Sequence, residues 1–205
     1  MNPQNFEQAR QYALQRLERE LSPRLRYHGI MHTRDEVVPA VEMLAGLEGI
    51  QGESLYLLLT AAWFHDLGYV EQPVHHELIG ARIAMEVLPG LGYTQEQVEV
   101  VRWAILATAL PQSPATHLEQ ILADADLDVL GRADFMSRNK DLRQELALLG
   151  KEFTDEDWYA RQLKFVEAHH YFTASARALR DAGKARSITT LKQALDALTK
   201  QDSPM

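Results

Sequence analysis

Apolar residues recur at three- and four-residue spacing along nearly the whole chain, the period of amphipathic helices. No stretch alternates β-branched with polar residues, and no Asn-Gly turn joins two such stretches, so strands are not expected. The pattern predicts helices over residues 4–20, 31–48, 53–69, 75–89, 94–110, 115–130, 132–150, 154–171 and 173–199. Helix-ending residues fall at the breaks: Ser22-Pro23, Gly49 with Gly52, Pro89-Gly90, and Pro111 with Pro114. Thr94 and Gln97 have the spacing of a capping box, in which each side chain satisfies a free backbone amide near the other. The fold class is therefore all-α, and Gln201 to Met205 reads as a frayed tail.

At 205 residues the chain can bury a sizeable core as one domain over 1–205. The segment after Gly131 is more polar and reads as a lid or C-terminal subdomain, with the helices of 132–200 packing on the part before it. Hydrophobic residues at 46% and charged residues at 24% are the balance of an ordinary globular chain and exclude disorder. The net charge of -8 disfavours broad attraction to DNA or RNA, so no nucleic-acid partner is expected. A local basic patch can still meet a small phosphorylated substrate.

Cysteine is absent, which excludes disulfides and thiolate metal sites and leaves His, Asp and Glu as strong ligands. Asn2 to Arg19 is polar, unlike a secretory signal. The longest apolar runs, such as Leu57 to Phe64, fall short of the roughly 20 residues that span a bilayer. No membrane association and a cytoplasmic location follow as expectations, and the apolar helices leave room for a homodimer.

Chemistry concentrates at His65-Asp66, which ends the apolar run from Leu55. On a helix, Leu55, Leu58, Leu59 and Ala62 form one stripe, with Asp66 on it and His65 at its flank. A carboxylate on a core-facing stripe is costly to desolvate without a partner. A metal ion is one such partner and also suits the imidazole, and a buried arginine is the other. Upstream stands Tyr27-His28-Gly29-Ile30-Met31-His32-Thr33, and downstream Leu122-Ala123-Asp124-Ala125-Asp126-Leu127.

This order of His, then His-Asp, then Asp, each on a separate predicted helix, resembles the HD superfamily of metal-dependent phosphohydrolases. The resemblance runs from about Tyr27 to Gly131 and includes the flanking Tyr-His-x-x-x-His-Thr, His-Asp-Leu-Gly-Tyr and Leu-Ala-Asp-Ala-Asp-Leu. It implies an HD-like bundle of eight or nine helices with a ligand-bearing core over about 24–131. It further implies metal ligands His32, His65, Asp66 and Asp126, with Asp66 also catalytic. Asp124 and Asp126 point about 200° apart on a helix and do not easily face one metal together. The resemblance favours Asp126, which makes Asp124 and Asp128 supporting or capping groups, with Asp124 as the other candidate ligand.

A ligand set of His and Asp takes one divalent ion such as Mn, Fe, Co, Ni, Mg or Zn. The implied reaction is hydrolysis of a phosphate ester or anhydride of a nucleotide or related small molecule by metal-activated water. In the related cyclic-nucleotide phosphodiesterases, a histidine placed like His28 is the general acid. This chain departs from them with Gly29 in place of their usual asparagine, and structural support of His32 is the other role open to His28. His75, His76 and Glu77 form a second polar cluster. Relatives that use such histidines for a second metal add another histidine where this chain has Thr108, so a second metal is not expected. His76 and Glu77 are expected either to touch substrate or metal-bound water or to form a solvated helix start in which Glu77 suits the helix dipole. Arg132 is expected either to clamp phosphate through its planar guanidinium or to stand as an exposed surface arginine. Lys164, His169 and Tyr171 are placed on a helix closing over the pocket, with His169-His170 as an ordinary helix end. Trp63, Trp103 and Trp158 read as core. A non-catalytic nucleotide- or metal-binding regulatory module and a di-iron oxygenase are the alternatives.

Overall fold

The computed structural model describes residues 2–201, and side chains over 2–199. The tail expected to fray lies, past Gln201, outside the described residues. Among the described residues there are nine α-helices and no strand, as the periodicity requires. They are α1 (Pro3–Glu20), α2 (Val38–Leu47), α3 (Gly52–Phe64), α4 (His76–Val87), α5 (Gln95–Leu106), α6 (His117–Asp126), α7 (Phe135–Leu148), α8 (Asp155–Ala168) and α9 (Ala174–Gln201). The chain divides into two compact units, Met1–Leu127 and Asp128–Met205. No described helix is long and apolar enough to cross a membrane.

In the first unit α1, α2, α5 and α6 pack around α3. Every residue from Leu57 to Phe64 is buried, so α3 is not the one-striped helix expected but one buried all round over this stretch, and hence central. Each large side chain buried there is worth about 1.5–3 kcal/mol. Helix α1 turns Ala9, Ala13 and Leu17 inward at four-residue spacing. Its Phe6 and Tyr12 rings meet Tyr56 and Phe64 of α3 at 5.4 and 6.0 Å. The capping box at α5 is present, with Thr94 and Gln97 bonding each other's backbone amides.

Two departures from the expected helices shape the site. The helix expected over 31–48 opens as a π-helical turn, His32–Val37, in which the Val38 amide donates to the Thr33 carbonyl five residues back. Pro39 explains it, since proline has no N–H to donate and its ring crowds the carbonyl of Asp35. A widened turn just before it relieves that crowding. The helix expected over 53–69 stops at Phe64, with His65 and Asp66 leading into a 3-10 turn, Leu67–Val70. Helix α4 forces this bend by its closeness. A Cβ on Gly68 would lie 2.0 Å from the His76 carbonyl oxygen, and one on Gly80 2.7 Å from that of Phe64. Only glycine permits such backbone approach, and it brings His76 against the His65-Asp66 turn. The stripe geometry inferred for these two residues is thus replaced by a turn held between α3 and α4.

Trp63 and Trp158 are core, but Trp103 is 51% exposed, with the Arg102 guanidinium 4.4 Å from its ring centre. In the second unit α9 packs on α8 and on the 3-10 turn Asp128–Gly131. Arg180 forks onto the buried Asp128 carboxylate. Buried Trp158 donates its indole N–H to Asn139, whose amide donates to Gln162, both at 2.6 Å.

Candidate metal centre

His32, at the start of the π-helical turn, and His65 and Asp66, at the end of α3, bring donor atoms within 4.8 Å of one another, all three side chains being buried. Asp126, the last residue of α6, completes the group. Carboxylate and imidazole alternate around a closed ring. His32 Nε2 is 3.1 Å from Asp126 Oδ1, which is 3.5 Å from His65 Nε2. His65 Nε2 is 3.4 Å from Asp66 Oδ2, which is 3.7 Å from His32 Nε2. Neighbouring donors around one divalent ion, at bond lengths of roughly 2.0–2.2 Å, stand about 3–3.5 Å apart.

Two atoms of the ring, His65 Nε2 and Asp66 Oδ2, are buried and make no hydrogen bond. Buried polar atoms without partners are rare and costly, and a cation at the centre would satisfy both. The ring therefore fits a divalent ion, and the buried-arginine alternative is not what Asp66 meets. Each imidazole is also turned correctly for coordination. His65 Nδ1 lies 2.7 Å from the Ala62 carbonyl and donates to it, leaving Nε2 for the ring. His32 Nδ1 lies 3.1 Å from Glu36 Oε2, with the same consequence.

The electrostatics agree. Burial opposes charge on His32, yet the Asp126 and Glu36 carboxylates outweigh it and raise its pKa to about 9. Burial likewise opposes charge on His65, and Asp66 with Asp126 raises it well above the ordinary value. Asp66 and Asp126 are held well below the carboxylate range against their own burial, Asp66 chiefly by His65 and Asp126 chiefly by His32. A field that retains protons on buried imidazoles is one that attracts a cation in their place.

The remaining expected residues group unevenly. His28 is not on the helix that carries His32, as the four-residue spacing had assumed, but in the irregular segment before it. Its ring still lies 5.9 Å from that of His32 and stacks on Tyr69 at 4.4 Å. His76 Nδ1 is anchored on the Pro73 carbonyl, while Nε2 lies 3.3 Å from Asp66 Oδ1, the oxygen not turned to the ring, and 3.4 Å from Glu77. Burial lowers and Asp66 raises the His76 pKa, and Asp66 prevails. His75 is the left-handed residue before α4, at φ 59. Asp124 is fully buried on α6, two residues before the Asp126 that reaches the imidazoles. Thr108 is buried and returns its hydroxyl to the Ile105 carbonyl. In the second unit Arg132 forks onto Asp134, Lys164 lies on α8, His169 caps the end of that helix as expected, and Tyr171 follows it. Sequence reasoning missed Glu36 and Tyr69. The signal for Glu36 was its place four residues after His32, a spacing that shares a helix face.

Fold and site together define a class: an all-helical protein in which a His-Asp pair after one helix closes a ring that could hold a metal ion with a histidine and an aspartate from two other segments. No family model matches the chain. Its fold matches that of a predicted HD superfamily hydrolase from an uncultured Thermotogales bacterium, with a TM-score of 0.62 over 92% of each chain at 20% identity. It also matches a Lactobacillus plantarum protein, with a TM-score of 0.73 over 98% of this chain and 99% of that one, again at 20% identity. The resemblance carried by the motifs thus holds in the fold. A stretch of 74 residues is 34% identical to a bifunctional uridylyltransferase/uridylyl-removing enzyme of Cereibacter sphaeroides. That stretch is 36% of this chain and spans 7% of the length of that relative.

Proposed function

We propose that the chain is a metal-dependent phosphohydrolase, cleaving an ester or anhydride of a nucleotide or related small phosphorylated molecule. The observation that carries this is the buried ring of two imidazoles and two carboxylates with His65 Nε2 and Asp66 Oδ2 left without hydrogen bonds. The HD-type fold and the order of donors favour phosphoryl chemistry over a purely structural ion. His32, His65, Asp66 and Asp126 would hold the ion. Once bound, it lowers the pKa of a water molecule toward neutrality and offsets charge on the phosphoryl oxygens.

The chain's own groups then move the protons. Asp66 and Asp126 offer carboxylate oxygens to the proton leaving the water. Asp126, with its side chain 18% exposed against 5% for Asp66, is the more open of the two. His28, steadied by its stack on Tyr69, delivers a proton to the departing oxygen. His76 and Glu77, beside the outer oxygen of Asp66, line the approach of the substrate.

The test is hydrolysis of p-nitrophenyl phosphate and bis-p-nitrophenyl phosphate after chelation and reloading with Mn, Co, Ni, Mg or Zn. The expected result is activity restored by metal in the wild type and absent in Asp66→Ala, with bound metal lost in parallel. Unchanged metal content and hydrolysis in a His65→Ala, Asp66→Ala double variant would overturn the proposal.

A further inference from the structure

Three imidazoles surround the Asp66 carboxylate, and each has its Nδ1 anchored to an oxygen. His65 uses the Ala62 carbonyl, His76 the Pro73 carbonyl and His32 the Glu36 carboxylate. Two of these anchors are backbone, fixed by the course of the chain whatever the side chains. The third is a side chain, and its charge gives His32 an acceptor stronger than a carbonyl. We infer that Glu36 is a positioning residue for the metal centre, setting the ring orientation of His32 and raising its strength as a donor; this rests on the proposed metal-dependent function.

The contact lies within the π-helical turn. Helical residues four apart already share a face, and a turn closed from residue i to i+5 brings them closer to register. Glu36 thereby stands over His32, with Oε2 3.1 Å from Nδ1 and only 16% of the Glu36 side chain exposed. Pro39 favours the widened turn, so the proline, the turn and the carboxylate form one device. It aims the His32 ring, itself 2% exposed, at Asp126 and Asp66. A carboxylate at this position of a coordinating histidine fixes which nitrogen keeps the proton and makes the other more basic. Removal of such a partner lowers metal affinity by about 10–100-fold.

Cobalt(II) affinity of the full chain, measured by competition with a chelator and by the visible absorption of the bound ion, tests this with three variants. Glu36→Gln keeps an oxygen acceptor in place but not the charge. Glu36→Asp keeps the charge but withdraws it by one methylene. Glu36→Ala removes both. The expected order is wild type, then Gln with a loss of under about tenfold, then Asp and Ala together with losses of about 10–100-fold. The cobalt spectrum should be altered in Asp and Ala and little changed in Gln. Wild-type affinity in Glu36→Ala, or Asp binding cobalt better than Gln, overturns the positioning role while leaving the metal centre in place. Absence of cobalt binding by the wild type removes the proposed function itself, and this inference with it. Gln, which preserves the shape of the side chain, keeps the comparison with Asp decisive even where Ala fails to fold.

Discussion

Chelation should make the stability of this protein fall as pH rises from neutrality, and restoring the metal should abolish that fall. His32 shows why. Its pKa is raised from 6.5 to about 9 in the folded chain, because the Asp126 and Glu36 carboxylates overcome the cost of burying its charge. A base whose folded pKa is raised contributes stability that is complete below the unfolded value and disappears as pH climbs through the folded one. The span from 6.5 to about 9, at about 1.4 kcal/mol per pH unit, makes this contribution about 3 kcal/mol. His65 and His76 are raised as well and act in the same direction. Asp66 and Asp126 are lowered, so their contribution is lost only in acid, outside this window. For a chain of this length about 3 kcal/mol corresponds to about 6–12 °C in Tm. Thermal melts between pH 6.5 and 9, in chelator and in excess Mn or Co, give the two curves. With an ion in place of the protons, the loaded curve stays nearly level, so the gap between the curves widens with pH. Parallel curves, or a chelated protein more stable at pH 9 than at pH 6.5, would show that the carboxylates do not hold these imidazoles charged.

Packing sets the outcome of substitutions at two glycines and two tryptophans. Gly80→Ala drives a methyl group to 2.7 Å from the Phe64 carbonyl and 3.2 Å from that of His65. The cost should be about 1–3 kcal/mol by denaturant unfolding, with metal affinity reduced as the His65-Asp66 turn shifts. Gly46→Ala, on a helix with open space around the new methyl, should be neutral or stabilising by up to about 1 kcal/mol. Among the tryptophans, Trp158→Ala should cost about 3–5 kcal/mol, since the ring is buried and its N–H feeds the Asn139–Gln162 network. Trp103→Ala, at an exposed ring, should cost under about 1 kcal/mol, and equal costs would contradict the burial difference.

The helices and the ligand order were legible because both are local. Helical period and capping, as at Thr94 with Gln97, follow from residues a few positions apart, and the spacing of His32, His65-Asp66 and Asp126 carries the resemblance that identified the site. What was not legible depends on contacts between segments distant in sequence. The period alone could not stop α3 at Phe64, because the cause is α4 pressing its backbone against Gly68 and Gly80 from the other side of the turn. Nor could apolar spacing tell Trp103 from Trp158, since the same pattern describes a ring on the surface and one in the core. Glu36 lies between these cases. Its four-residue distance from His32 is a local signal, and so is Pro39, but their meaning appears only once His32 is aimed at Asp66 and Asp126. Pro39 looks like a helix-disturbing residue in the string of letters. In the fold it favours the widened turn that stands a carboxylate over a buried imidazole, and the irregularity in the helix becomes part of the site.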